Sequence, residues 1–314
     1  IPEFKALYQR INFVSLSSEE KYRGMLDPLL FLPREEAIQT ARNVLENFGE
    51  VTTDSHTASD KKTLILDSVN AVMKGKGKKH LTKVIEVIRE KDPKLANLIS
   101  GHNVGLGKIL LGNDYSEPIR FENQINVLGT QGLKIPTQAE IDSGRLNNEQ
   151  IAGMSIMEVI MKMTTIFSTD KTEDAAIIFD EAKGFEDTAQ GRFLIEGSLR
   201  QGRANMTDIY LVTQAFMDYD KEDKKELLSY KFAFRPNQKE AQKKVLEFFG
   251  MDTNPANIQL INELKSGTCL FQDHRGRSQP IAIDVLFDSW LMAVSSTNKE
   301  DEATQMALAM EQGS

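Results

Sequence analysis

One cysteine, Cys269, and one tryptophan stand in 314 residues. A lone thiol forms no internal disulfide and no thiolate metal cluster, and the histidines His56, His80, His102 and His274 are too widely spaced to read as a ligand pair, so no structural metal site is expected. Long apolar runs are missing too. Nothing approaches the ~18 consecutive apolar residues that a membrane-spanning helix needs, and no basic stretch followed by an apolar one marks the start of the chain. A cytoplasmic location is the expectation. Surplus positive charge is also lacking: a formal charge of −8 argues against a protein that coats nucleic acid with its whole surface, while leaving room for a locally basic pore in an oligomer.

What is present fits a folded protein. A hydrophobic share of 40% over this length supplies a core for one large α/β domain with a helical insertion, or for two modest domains. Ile11 to Leu16 reads as a short strand running into a turn around Gly24 and the Asp27-Pro28-Leu29 step. Ala37, Ile38, Ala41, Val44, Leu45 and Phe48 then recur at helical spacing, as do Leu64, Ile65, Val69 and Val72, and Leu81, Val84, Ile85 and Ile88. The basic link Lys74-Gly75-Lys76-Gly77-Lys78-Lys79 between two of these helices reads as a solvated loop, with phosphate contact as the sharper alternative.

Strand patterns follow at Ile119 to Phe121 and Ile125 to Leu128, then a methionine-rich helix from Asn147 to Phe167. From there the pattern alternates. Strand Ala175 to Asp180, helix Thr188 to Ala204, strand Asp208 to Gln214, short helix Lys221 to Ser229, strand Lys231 to Arg235 and helix Gln238 to Phe249 imply a parallel sheet with helices on both faces. A helix at Pro255 to Leu264, a hairpin of Gly267 to Gln272 with Gln279 to Val285, and an amphipathic segment from Glu300 to Met310 complete the reading.

The run Ala176 to Glu181 delivers two adjacent carboxylates at the C-terminal edge of a buried strand, the edge where open α/β sheets bind ligands. In a P-loop nucleotidase the first acid, Asp180, holds magnesium through water and the second, Glu181, orients the attacking water. Asp180 as a simple helix-capping acid is the competing account. Gln214 ends the neighbouring strand, where an amide can sense phosphate or position water. Arg200 and Arg203, three residues apart on a helix, can face a neighbouring subunit as a finger onto phosphate, or pair with Glu196 or Asp208 at the surface. Arg275 and Arg277, crowded with Asp273 and His274 in the hairpin turn, suggest either anion contact or a solvated turn.

Taken in order, Met25-Leu26-Asp27-Pro28-Leu29, Asn126-Val127-Leu128, Gly132-Leu133, Ile177 to Ala182, Arg200-Gln201-Gly202-Arg203, Thr213-Gln214, Phe232-Ala233-Phe234-Arg235, Phe249-Gly250-Met251 and Gly267-Thr268-Cys269-Leu270-Phe271 with Asp273, Gly276 and Arg277 resemble a known family. It is the VirB/TraC-like traffic ATPases of bacterial type IV secretion and conjugation, in the HerA–FtsK branch of RecA-like P-loop ATPases. The resemblance covers nearly the whole chain. It implies a RecA-like core divided as 1–32, an all-helical subdomain 33–112, the Walker B-bearing core 113–297 and a helical tail 298–314. It further implies ATP and Mg2+, with Asp180, Glu181, Gln214, Arg200 and Arg203 at the chemistry and Arg275 and Arg277 at the nucleotide. A hexamer at the inner face of the bacterial membrane, working with other subunits of a secretion apparatus to drive substrate transfer or pilus assembly, is the implied setting.

Two departures stand out. Lys183 replaces a tryptophan common beside the acids in relatives, and no Gly-x-x-x-x-Gly-Lys-Ser/Thr occurs anywhere in the chain. The run Gly101 to Ile109 has the wrong glycine-to-lysine spacing, and Ile109 has no hydroxyl for magnesium. The family would place the loop upstream of Ile11, so the expectation is a C-terminal motor portion without tight ATP binding of its own. The alternatives are a scaffold or regulator with the same fold, and a DNA-translocating coupling protein.

Overall fold

The computed structural model describes residues 9–51, 56–120, 125–130, 132–167, 174–180, 189–202, 205–213, 227–284 and 287. They belong to two compact units, Asn12–Val212 in one, and Ile1–Ile11 with Thr213–Ser314 in the other.

The first unit takes up the chain within β1 (Ile11–Ser15), which leads through a 3-10 turn at Glu20–Tyr22 to Asp27, whose carboxylate accepts the Leu29 N–H and caps α1 (Pro28–Phe31). Pro28 opens that helix with its φ already set and forgoes only an N–H that would have no helical partner. Helix α2 (Arg34–Phe48) buries Ala37, Ala41, Val44, Leu45 and Phe48 along one face. Next come α3 (His56–Lys74), α4 (Leu81–Lys91) and α5 (Pro93–Ser100), each packed on the helix before it. Asp92 ends α4 and starts α5, accepting the Leu95 N–H at 3.0 Å with Pro93 behind it. Leu45, Phe48, Ile65, Leu81, Ile88 and Ile99 are sealed from solvent. Burial of each stabilises the fold by ~1.5–3 kcal/mol.

Among the described residues no strand forms at Ile119 or Arg120, and Phe121 lies outside them. The backbone there is satisfied by single tertiary bonds: Ile119 N–H donates to the Met25 carbonyl at 2.9 Å, and Asn12 Nδ2 donates to the Arg120 carbonyl at 2.9 Å. Strand β2 (Ile125–Gly129) pairs with β1. A capping box between Thr137 and Glu140 opens α6 (Gln138–Asp142), and α7 (Asn148–Phe167) runs on toward β3 (Ala175–Phe179). Met157 of the methionine-rich helix is fully buried, consistent with core packing. At Gly153 a Cβ would lie 2.1 Å from the Lys134 carbonyl, so the chain crosses α7 where only glycine leaves room. Helix α8 (Ala189–Gly202) packs on α7 and on β4 (Thr207–Leu211), and α7 packs in turn on α2. Strands β3 and β4 are parallel, in register from Ala175 opposite Thr207 to Phe179 opposite Leu211.

The second unit holds β5 (Lys231–Ala233), α9 (Lys239–Phe248), α10 (Pro255–Asn262), β6 (Thr268–Gln272) and β7 (Ser278–Ala282). The late hairpin forms as expected. Strand β5 departs from the sequence reading: it runs antiparallel to β6, with Phe232 opposite Phe271 and their rings 5.0 Å apart. Helix–strand alternation along a chain announces a strand without naming its partner, and here the aromatic cross-strand pair supplies one. Of the short helix expected at Lys221 to Ser229, residues 227–229 are not helical and the rest lie outside the described residues, as does Glu300 to Met310.

Candidate functional site

Parallel pairing of β3 and β4 forms the rim at which the candidate residues were expected. Val212 N–H donates to the Phe179 carbonyl at 2.9 Å, carrying the ladder to the last residue of β3. Asp180 is the next residue, exposed, at the C-terminal rim of both strands. Glu181 and Gln214, expected beside it, lie outside the described residues, as does Arg203.

Arg200 sits in the last turn of α8 and is exposed. Among the described residues it makes no ion pair, so neither Glu196 nor Asp208 holds it at the surface. Gly202 explains the small residue in that element. Buried at the end of α8, it has room for no Cβ, which would lie 2.7 Å from the Thr207 carbonyl and 3.0 Å from Ile209 Cγ1. Glycine therefore lets α8 end flush against β4 and fixes the strand that flanks Asp180.

Within the second unit, Arg275 and Arg277 occupy the β6–β7 turn. Asp273 organises it, accepting the backbone N–H groups of Arg275 at 2.9 Å and Arg277 at 3.0 Å, together with Arg277 Nε at 2.7 Å and Nη2 at 2.6 Å. The Arg277 guanidinium and these donors hold the Asp273 carboxyl down at about 2. Gly276 takes a positive φ of 76°, which the turn requires. A hollow of ≈550 Å3 beside α10 and β7, lined by Leu260, Leu264, Pro280 and Ile281 among others, contains no residue expected at the site.

Of two glycine-rich stretches, one is packed and the other is largely exposed. In Gly101 to Ile109, a Cβ on Gly107 would lie 2.0 Å from the His102 carbonyl, while His102 stacks on Phe48 with centroids 4.3 Å apart and Lys108 pairs with Glu20 at 3.4 Å. In the lysine-rich link, Lys78 donates to the Ser116 carbonyl and pairs with Glu117, and Lys79 folds back onto the Gly75 carbonyl. Lys78 and Lys79 are spent on the fold, while Lys74 and Lys76 are exposed, as a solvated loop would have them.

A buried carboxylate escaped the sequence reading. Asp27 is sealed from solvent and accepts three backbone N–H groups, from Leu29 at 3.0 Å, Leu81 at 2.7 Å and Gly112 at 2.9 Å. Burial pushes its carboxyl up to about 7, with the three donors pulling the other way. Asp followed by Pro was the available signal, the cap and first position of a helix. His80 was likewise unassigned: it caps α4 by accepting the Lys83 N–H on Nδ1 at 3.2 Å and faces Asp114 with Nε2 at 3.4 Å. Among the described residues no cluster of three His, Cys, Asp or Glu could hold a metal, and no helix is long and apolar enough to cross a membrane.

The model of the AAA-like domain matches residues 1–294. The chain belongs to the AAA-like domain family. This AAA-like chain is 26% identical over 312 residues to the uncharacterized protein YddE of Bacillus subtilis (strain 168), covering 95% of itself and 36% of YddE. It thus spans about a third of that curated relative's length. Its fold is similar to that of VirB4 of Thermoanaerobacter pseudethanolicus, with a TM-score of 0.55 at 14% identity over 92% of this chain and 85% of the other. The resemblance read from the ordered motifs is met at the level of family, and the α/β RecA-like class at the level of fold.

Proposed function

We propose that the AAA-like chain is part of an ATPase that energises type IV secretion or conjugation, by substrate transfer or pilus assembly. The observation that carries the reading is Asp180, a solvent-facing carboxylate at the C-terminal rim of the parallel β3–β4 pair. A hard cation takes oxygen ligands and keeps its waters, and an exposed carboxylate at a strand end suits magnesium held in that outer-sphere way. Mg2+ with ATP supplies a polarised γ-phosphate when bound. Toward it Asp180 would hold the hydrated ion, Glu181 would orient the attacking water, Gln214 would sense the phosphate, and Arg200 or Arg203 would reach across to a neighbouring subunit. Arg275 and Arg277 are the nucleotide-contact candidates of the hairpin. A hexamer, other apparatus subunits as partners and a peripheral position at the inner membrane face complete the proposal.

The test uses the whole gene product to which these residues belong. ATP hydrolysis is measured with wild type, Asp180→Asn and Glu181→Gln. Both substitutions are expected to lower kcat by about 10²-fold or more, with Glu181→Gln sparing nucleotide binding. A wild type without ATPase activity that still binds secretion components favours the scaffold reading. Tight, salt-dependent DNA binding, in which phosphate contacts release counterions, favours the DNA-translocating one.

A further inference from the structure

The two hairpin arginines do different work, and we infer that Arg275 is the anion ligand of the β6–β7 turn while Arg277 is a positioning residue that holds the turn in shape. The inference rests on the nucleotide reading above and sharpens it. Arg277 is committed internally, both guanidinium contacts going to Asp273 Oδ2 while its backbone N–H goes to Oδ1. That ring of bonds closes around Gly276, whose N–H donates to the Asp273 carbonyl at 2.9 Å and whose carbonyl receives Gln272 Nε2 at 3.4 Å. Gln272 itself is buried and also donates to Ser278 Oγ at 2.9 Å and to the Phe249 carbonyl at 2.8 Å, so the turn is tied to the body of its unit from below.

Arg275 contributes only its backbone N–H to this scheme, donated to Asp273 Oδ1. Among the described residues its guanidinium has no hydrogen bond and no ion pair. Asp273 is neutralised by Arg277, so the turn from Gln272 to Ser278 displays one uncompensated positive charge, on Arg275. Its aromatic neighbour His274 lies edge-on to Tyr230 with centroids 5.9 Å apart, and Tyr230 stacks on Phe271 at 6.2 Å. Binding has to order the Arg275 side chain, but its planar, always-charged donor fork matches phosphate oxygens and loses less freedom per hydrogen bond formed than a lysine does, so phosphate is the class of ligand it fits.

The experiment compares Arg275→Ala, Arg275→Lys, Arg277→Ala and Asp273→Asn in the whole gene product, with Asp180→Asn as control. Thermal midpoint, kcat and KM for ATP are measured for each. Arg275→Ala is expected to keep the wild-type midpoint and lose about tenfold or more in kcat/KM, with only partial recovery in Arg275→Lys because a point charge does not reproduce the fork. Arg277→Ala and Asp273→Asn are expected to lower the midpoint, and the double variant to do no more than either alone. Wild-type kinetics in Arg275→Ala beside an inactive Asp180→Asn overturns the assignment and leaves the ATPase reading standing. Activity lost in Arg277→Ala at an unchanged midpoint reverses the roles and overturns it as well. Wild-type activity in Asp180→Asn removes the nucleotide reading and this inference with it.

Discussion

Asp27 Oδ2 accepts the Leu81 N–H at 2.7 Å across 54 residues of chain. The same oxygen takes the Gly112 N–H, and Oδ1 takes that of Leu29, so one side chain ties the entry, the middle and the exit of the helical stretch together. Gly24 and Gly112 make space for the knot: a Cβ on Gly24 would lie 2.3 Å from Gly112 Cα, and one on Gly112 would lie 2.8 Å from Asp27 Oδ2.

An amide cannot replace this carboxylate. Asp27→Asn offers one oxygen where three donors converge on two, turning an NH2 group toward at least one N–H. Urea unfolding should show a loss of about 1–3 kcal/mol, the cost of a buried group left unpaired. Stability equal to wild type would falsify the knot.

Two buried groups give pH dependences of opposite sign. Asp27 has a native carboxyl pushed up to about 7 from 3.8, so its contribution is full below pH ~4 and is lost as pH rises through about 7. His80 is pulled below 6.5, first by burial and then by Lys83, with Asp114 and Glu86 opposing. Its contribution is present above pH ~6.5 and lost as pH falls through its lowered native value. His80→Asn keeps a capping acceptor and should flatten the acid side of the stability profile, and Asp27→Asn the side between pH ~4 and ~7. Profiles parallel to wild type in both variants contradict the assignment.

Gly107 tests whether the glycine-rich run near Lys108 is packing or a phosphate loop. Gly107→Ala must displace the His102 backbone, and a lower unfolding midpoint is expected. Lys108→Ala removes only an exposed pair with Glu20 and should leave ATP turnover of the whole gene product unchanged. Lost nucleotide binding in Lys108→Ala would restore the loop that the spacing argues against.

Much of the fold was legible because period and punctuation were strong. Asn147 to Phe167 was read within one residue of α7, and the Arg275-Gly276-Arg277 turn sits between β6 and β7 as its glycine implied. Partnership was not legible. Strand β5 pairs antiparallel with β6 through Phe232 and Phe271, and nothing in the local pattern of Lys231 to Arg235 distinguishes that from a parallel neighbour. Asp180 was found because four apolar residues precede it on a strand. Asp27 was passed over as a turn residue because its partners Leu81 and Gly112 are distant in sequence, and long-range backbone bonds leave no periodic trace.

Gly202 links packing to the proposed chemistry without belonging to it. Its absent Cβ lets α8 close on Thr207 and Ile209, and β4 in turn fixes the rim that carries Asp180 through the Val212 to Phe179 bond. Gly202→Ala forces a methyl to 2.7 Å from a backbone carbonyl that cannot yield without moving the strand. Overpacking of this kind costs ~1–3 kcal/mol. If the rim geometry matters, kcat of the whole gene product should fall while KM for ATP changes little, since the proposed nucleotide contacts are untouched and only the placement of the acid shifts. A variant with lowered stability and wild-type kcat would show that Asp180 does its work independently of the β4 register, or does none.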